Sequence, residues 1–145
     1  MILEEEEISE EKNNIIPYLF IIGGRTFEQI HDQILCVNLN TWEYRAAAKL
    51  SSGLCCHSSS LVKNQIFIMA GASSLAFLSE ISVFNILSNS LYKFNIQNND
   101  FGERIAISSV VDHSNSQILI FGGMCIEDEK NDLYSFDSSK TFEMI

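Results

Sequence analysis

The chain has 145 residues, 46% of them hydrophobic, and its single proline and seven glycines exclude a fibrous or linker-rich protein. Nineteen acidic residues against nine basic ones give a net charge of −10. This excludes nucleic acid as a partner, because phosphate binding needs a clustered basic surface. No uninterrupted apolar stretch reaches the roughly 18 residues that cross a bilayer, so no membrane span is predicted.

The start of the chain is a separate acidic segment. Residues 1–12 contain six glutamates and one lysine. This composition predicts a solvated, disordered tail over residues 1–16, in preference to a docking motif for a basic partner. Because a secretory signal would be basic and then apolar, the acidic start also predicts a cytoplasmic protein.

An apolar run that ends in small residues occurs three times in the rest of the chain. The runs are Leu19–Gly24, Ile66–Gly71 and Ile118–Gly123, and their final glycines are 47 and 52 residues apart. Each run predicts a β-strand, and the nearly constant spacing predicts a repeated β-unit.

Further β-type runs surround each of these strands. A second run follows a polar loop and ends on Asn or Asp, which start turns, and a large apolar residue then begins a third strand. A fourth run precedes the next glycine-terminated strand. The second runs are Ile34–Asn38, Ile81–Asn85 and Leu133–Asp137; the large residues are Trp42, Leu91 and Phe142; the fourth runs are Cys56–Val62 and Ile105–Val111. No stretch of ten or more residues has helical periodicity, so each unit is predicted to be a four-stranded antiparallel sheet.

The paired small residues have a physical role in such a unit. A strand beside a crowded axis needs positions without Cβ, both for close backbone approach and for the positive φ of the turn that follows. The strands before them are apolar without alternation, which indicates burial between neighbouring sheets. Four-stranded sheets packed in this way around an axis form a β-propeller.

The order of these residues resembles a kelch repeat from about Pro17 to the end. In the kelch pattern a strand ends in Gly-Gly, Asn-Asp precedes a Tyr-containing strand that ends in Asp, and a Trp follows. The third unit has Gly122, Gly123, Asn131, Asp132, Tyr134 and Asp137; the first has Gly23, Gly24, Asp32 and Trp42; the second has Gly71. The resemblance implies an all-β kelch-type propeller that binds other proteins, such as cytoskeletal proteins or substrates of a ubiquitin ligase.

The predicted blades do not complete a ring. They cover about residues 17–50, 54–100 and 104–145, contain eleven strands and leave the first unit without its innermost strand. Propellers typically have four to eight blades. The chain is therefore a piece of a longer propeller, one half of a six-unit ring of two copies, or an open arc. The first explanation is favoured, because exposed apolar faces are costly for a marginally stable domain.

Patterns for catalysis and metal binding are weak. The four cysteines have no CxxC spacing, Ser58–Ser60 follow His57 without a nucleophile elbow, and Glu127–Glu129 lack a calcium-loop pattern. We expect no catalytic residue, metal or cofactor, and hence a non-catalytic interaction scaffold. Two alternatives stay open: a fragment of a propeller-family enzyme such as an oxidase, and a degenerate fragment without activity of its own.

The loops after the small residues are the predicted partner-binding face, since rigid scaffolds often present binding groups on loops. These loops are Arg25–His31, Ala72–Glu80 and Met124–Lys130. Arg25, Phe77 and Arg104 are the candidate contacts, and Phe77 belongs to an unusually apolar loop. Arg104 occupies the kelch arginine position, where a guanidinium either bridges neighbouring blades or faces a partner. Trp42 is expected to fill space between blades.

Overall fold

The computed structural model describes residues 16–94, 101–114 and 116–138, which contain ten β-strands. The strands are β1 (Tyr18–Ile22), β2 (Gln33–Asn38), β3 (Tyr44–Lys49), β4 (Ser58–Val62), β5 (Gln65–Met69), β6 (Ile81–Asn85), β7 (Ser90–Phe94), β8 (Ser108–Asp112), β9 (Gln117–Phe121) and β10 (Leu133–Asp137). The predicted acidic tail, apart from Ile16, and Phe142 lie outside the described residues. Within those residues, no helix is long and apolar enough to cross a membrane.

The strands form three antiparallel sheets, which confirms the all-β prediction. The first sheet has the order β1-β2-β3, the second β4-β5-β6-β7, and the third β10-β9-β8. In the second sheet all four strands pair with their sequence neighbours, as the four-run unit predicts. The first sheet has no strand beyond β1 in the described part of the chain, and none of the three sheets closes on itself.

The turn between β2 and β3 corrects one expectation. The Asn38 side chain accepts hydrogen bonds from the amides of Asn40 and Thr41, and Trp42 then adopts a φ of 62°. Trp42 therefore lies in the turn and not in a strand, with 73% of its surface exposed. The prediction that it fills space between sheets is wrong for the described structure.

Two hydrophobic clusters fill the spaces between successive sheets. One contains Ile34 of the first sheet with Ile68 and Phe84 of the second. The other contains Phe67 of the second sheet with Ile118 of the third. The second sheet is thus covered on both faces, and every residue of β5 is buried, which explains its apolar run without alternation.

The same ring contact occurs at both sheet junctions. The Phe20 and Phe84 ring centroids are 5.9 Å apart with an interplanar angle of 58°, and those of Phe67 and Phe136 are 5.7 Å apart at 62°. Phe20 and Phe67 occupy the same position before the small-residue pair, while Phe84 and Phe136 each precede the residue that ends the next strand. The first sheet therefore packs on the second as the second packs on the third.

Candidate functional site

The three loops after the small-residue pairs, here called the glycine loops, share one backbone pattern. In each loop an amide donates to a carbonyl three residues later, and the amide after the loop tip donates back to the second glycine. These bonds are Thr26 N to Gln29 O, Ser73 N to Ala76 O and Cys125 N to Asp128 O, then His31 N to Gly24 O, Leu78 N to Gly71 O and Lys130 N to Gly123 O, all at 2.8–2.9 Å. The loops therefore have equivalent, internally bonded backbones.

The small-residue pairs set the entry into each loop. The second residue of each pair is a glycine with a φ near +100°: 102° at Gly24, 101° at Gly71 and 100° at Gly123. The first residue of each pair also has a positive φ: 53° at Gly23, 56° at Ala70 and 66° at Gly122. A Cβ on Gly23 would lie 2.3 Å from the carbonyl oxygen of Leu54, and one on Gly71 2.8 Å from that of Cys55. Both reasons for small residues, positive φ and close backbone approach, therefore operate here.

The first two glycine loops are each bonded to the segment that leads into the next sheet. Gly24 N donates to Leu54 O at 2.8 Å, and Gly71 N donates to Arg104 O at 2.9 Å. The same two segments also pair with the following loops, through Cys55 with Ala72 and Ile105 with Met124, so the three loops follow one another along one edge of the structure, here called the loop edge. The turns that join β2 to β3 and β6 to β7 lie at the other ends of the strands, and we call that side the turn edge.

The tip of each glycine loop exposes one large apolar side chain. The exposed fractions are 103% for Phe27, 94% for Leu75 and 82% for Ile126. Phe27 and Ile126 are both the third residue after the second glycine, and Leu75 is the fourth. Sequence reasoning missed Phe27 and Ile126 because each is a single apolar residue among polar neighbours, although their shared offset from the glycine was a usable signal.

The predicted contacts Arg25 and Phe77 differ in accessibility. Arg25 is exposed and lines a shallow groove between the first two loops together with Phe27, Glu28 and Ser73. Phe77 is half-buried and pairs with Ala72 across its own loop. Leu75, and not Phe77, is therefore the outermost apolar group of the second loop.

Arg104 is buried, so the prediction that it contacts a partner is wrong for the described structure. Only 2% of its surface is exposed. Its Nη1 donates to Asp132 Oδ1 at 2.7 Å and to the Gly122 carbonyl at 3.2 Å, and its Cζ lies 4.4 Å from the Phe101 ring centroid. The arginine instead bridges two units of the chain: its backbone bonds to Leu78 and Gly71 of the second unit, while its side chain bonds to Gly122 and Asp132 of the third.

Two further residues of the third unit, Asp132 and Tyr134, lie around this arginine. The Tyr134 ring centroid is 5.3 Å from the guanidinium and 5.3 Å from the Phe101 centroid. The hydrogen bond from Arg104 holds the pKa of Asp132 below its ordinary value of 3.8. Asp137 ends β10 and lies opposite Gln117 of β9. Arg104, Phe101, Asp132 and Tyr134 therefore form a structural cluster, centred on a buried guanidinium, where the second and third units meet.

The third glycine loop is acidic. Glu127, Asp128 and Glu129 follow Ile126 and are exposed. Asp128 binds the ammonium group of Lys130 at 2.8 Å, and this hydrogen bond raises the pKa of Lys130. The carboxylates of Glu127 and Glu129 therefore give the loop edge a negative region beside an apolar tip.

The Cys55–His57 segment offers no metal site. Burial raises the pKa of the Cys55 thiol and lowers that of the His57 imidazole. His57 Nδ1 is buried without a hydrogen-bond partner. Across residues 16–94, 101–114 and 116–138, no group of three or more His, Cys, Asp and Glu side chains is placed to hold a metal ion.

Comparison with known proteins gave no match, either to a family model or to a curated protein.

Proposed function

We propose that the chain forms blades of a kelch-type β-propeller and acts as a non-catalytic scaffold that binds other proteins through its loop edge. The observation that carries this proposal is the set of three equivalent loops whose tips expose Phe27, Leu75 and Ile126. Isolated apolar residues on a surface are ordinary, but three at the tips of equivalent loops along one edge form a repeated contact set.

The recurring sheet contacts support the propeller arrangement. Gly24 bonds to Leu54 as Gly71 bonds to Arg104, and the Phe20–Phe84 ring contact recurs at the next junction. A propeller is built by such repetition, because each blade buries one face against its neighbour. The kelch resemblance adds the small-residue pairs, Asp132 and Tyr134, which lie at these junctions.

The loop tips have the physical properties of binding contacts. Burying a side chain of this size contributes about 1.5–3 kcal/mol. The hydrogen-bonded loop backbones are already ordered, so docking of a partner loses little conformational entropy there. Because the exposed Glu127 and Glu129 follow Ile126 in the same loop, the surface favours a partner that combines apolar anchors with nearby basic residues.

A peptide-selection experiment tests this proposal. Random peptides displayed on phage are selected on the wild-type chain and then measured against the triple variant Phe27→Ser, Leu75→Ser, Ile126→Ser. We expect the selected peptides to be rich in apolar and basic residues. Their affinity for the triple variant should be at least about a hundredfold weaker, because each 1.4 kcal/mol of lost binding free energy lowers the affinity roughly tenfold. Because the three side chains are exposed, the unfolding free energy should change by no more than about 0.5 kcal/mol.

The matched control is Leu87→Ser, an exposed leucine at the turn edge. It should bind the selected peptides as the wild type does. The proposal is wrong if no peptide binds the wild type, if the triple variant retains binding, or if Leu87→Ser weakens it equally.

A further inference from the structure

The first sheet has an uncovered apolar face on the side away from the second sheet. Leu19 and Ile21 of β1 lie on this face, and Ile21 is 45% exposed. Their counterparts in the second sheet are Ile66 and Ile68, and Ile68 is only 1% exposed because the first sheet covers it. The chain thus buries these positions wherever it supplies a neighbouring sheet.

The third sheet has an uncovered apolar face on the opposite side. Phe121 of β9 and Leu133 of β10 pair across the sheet and lie on this face, and Leu133 is 65% exposed. Their counterparts Met69 and Ile81 in the second sheet are both 0% exposed, under the third sheet. The two open faces are therefore the two halves of the junction that the chain already forms twice.

The repeat predicts which residues would meet at a third junction of the same kind. The residue at the position of Phe20 and Phe67 is Leu119, on the open face of the third sheet. The residue at the position of Phe84 and Phe136 is Val37, on the open face of the first. Both are apolar, so the ring contact seen within the chain would become a contact between aliphatic side chains from two chains.

We propose that the open face of the third sheet covers the open face of the first sheet in a second copy of this chain, and that two copies close into a ring of six sheets. Each copy offers one face of each kind, so two equivalent junctions around a twofold axis leave no face open. Six sheets lie within the usual range of four to eight in propellers, whereas three copies would give nine. The closure rests on the propeller arrangement proposed above but does not involve the loop tips, so the two experiments fail independently.

Charge makes this association dependent on salt. Each copy carries a net charge of −10, so two copies repel each other at low ionic strength. Leu19, Ile21, Phe121 and Leu133 are uncharged, so salt screens the repulsion without weakening the contact itself. The pair is therefore expected to tighten as ionic strength rises.

Analytical ultracentrifugation tests the pairing with one substitution on each face. The wild type should sediment at twice the mass of one chain, while Ile21→Lys and Leu133→Lys should each sediment as single chains, with association weakened at least about a hundredfold by the desolvated charge. Tyr44→Lys replaces Ile21→Lys if circular dichroism shows loss of the fold, since Tyr44 is exposed on the same face. Leu87→Lys, away from both faces, is the matched control and should pair like the wild type.

Mixing the two variants identifies which faces meet. An equimolar mixture of Ile21→Lys and Leu133→Lys retains one intact third-to-first junction, so it should produce a two-chain species that neither variant forms alone. A contact between two first sheets would instead leave Leu133→Lys paired by itself, which would overturn the proposal. A wild type that stays monomeric up to roughly 100 μM, or one that grows beyond two chains, would overturn it as well.

Discussion

Changing Asp132 to Asn should destabilise the junction between the second and third sheets. The substitution keeps the side-chain shape but removes the charge that lies 2.7 Å from Arg104 Nη1. A hydrogen bond to a charged group contributes about 1.5–3 kcal/mol, and stranding a buried charge costs about 3–5 kcal/mol. Because Asp132 is partly exposed and Arg104 keeps the Gly122 carbonyl and the Phe101 ring, we expect a loss of about 2 kcal/mol.

Glu80→Gln is the matched control for this substitution. Glu80 and Asp132 are equivalent, since their carbonyls accept from Ala70 N and Gly122 N respectively. Glu80 binds Lys93 at 2.8 Å, but the Lys93 side chain is 48% exposed where that of Arg104 is 2% exposed, so removing this pair should change stability by less than about 1 kcal/mol. Urea unfolding at neutral pH measures the unfolding free energy of both variants. Equal losses of unfolding free energy in the two would refute the inference that burial of Arg104 decides the effect.

The difference between wild type and Asp132→Asn should also depend on pH. Arg104 lowers the pKa of Asp132 below 3.8, so the unfolded state binds the proton first as pH falls. The stabilisation is therefore fully present above pH 3.8 and is lost as pH falls through the lower pKa of the folded state. Unfolding curves of the two proteins should converge in acid, and a difference that stays constant down to about pH 2 would contradict this assignment.

Two further pairs of substitutions test the packing and the backbone. Trp42→Ala should reduce stability by less than about 1 kcal/mol because the indole is exposed. Phe84→Ala should reduce it by about 3–5 kcal/mol because that ring is fully buried. Similar melting temperatures for the two variants would contradict these placements. Gly23→Ala should destabilise more than Gly122→Ala, since its Cβ would lie 2.3 Å from the Leu54 carbonyl oxygen, against 3.0 Å from the nearest atom at Gly122. Denaturant unfolding compares the stability of these two variants, whose glycines have similar φ values. A larger loss of stability for Gly122→Ala than for Gly23→Ala would show that the Leu54 segment moves away freely.

Strand positions could be predicted from the sequence because local pattern determines them. The run Ile81–Asn85 coincides with β6, and the apolar residues Ile66–Met69 of β5 are buried on both faces, as their lack of alternation indicates. The alanine segment Ala46–Ala48 lies inside β3 although alanine has the highest helix propensity, because pairing with β2 overrides that local preference.

Burial of single side chains could not be predicted in the same way. Trp42 lies in a turn that the Asn38 side chain organises, and not in the strand where an aromatic residue would pack. Arg104 is buried because Phe101 and Asp132 enclose its guanidinium, and that enclosure depends on how two sheets meet. The exposed tip Phe27 was missed because exposure depends on loop geometry and not on local composition.

The central claim, that successive sheets pack on each other by the same contact, is tested most directly by nuclear Overhauser spectroscopy on a phenylalanine-labelled chain. The structure predicts cross-peaks between the rings of Phe20 and Phe84 and between those of Phe67 and Phe136, whose centroids are 5.9 and 5.7 Å apart. Single Phe→Leu variants assign each peak. Observation of both peaks in one folded species would support the account, and a folded chain that lacks either of them would contradict it.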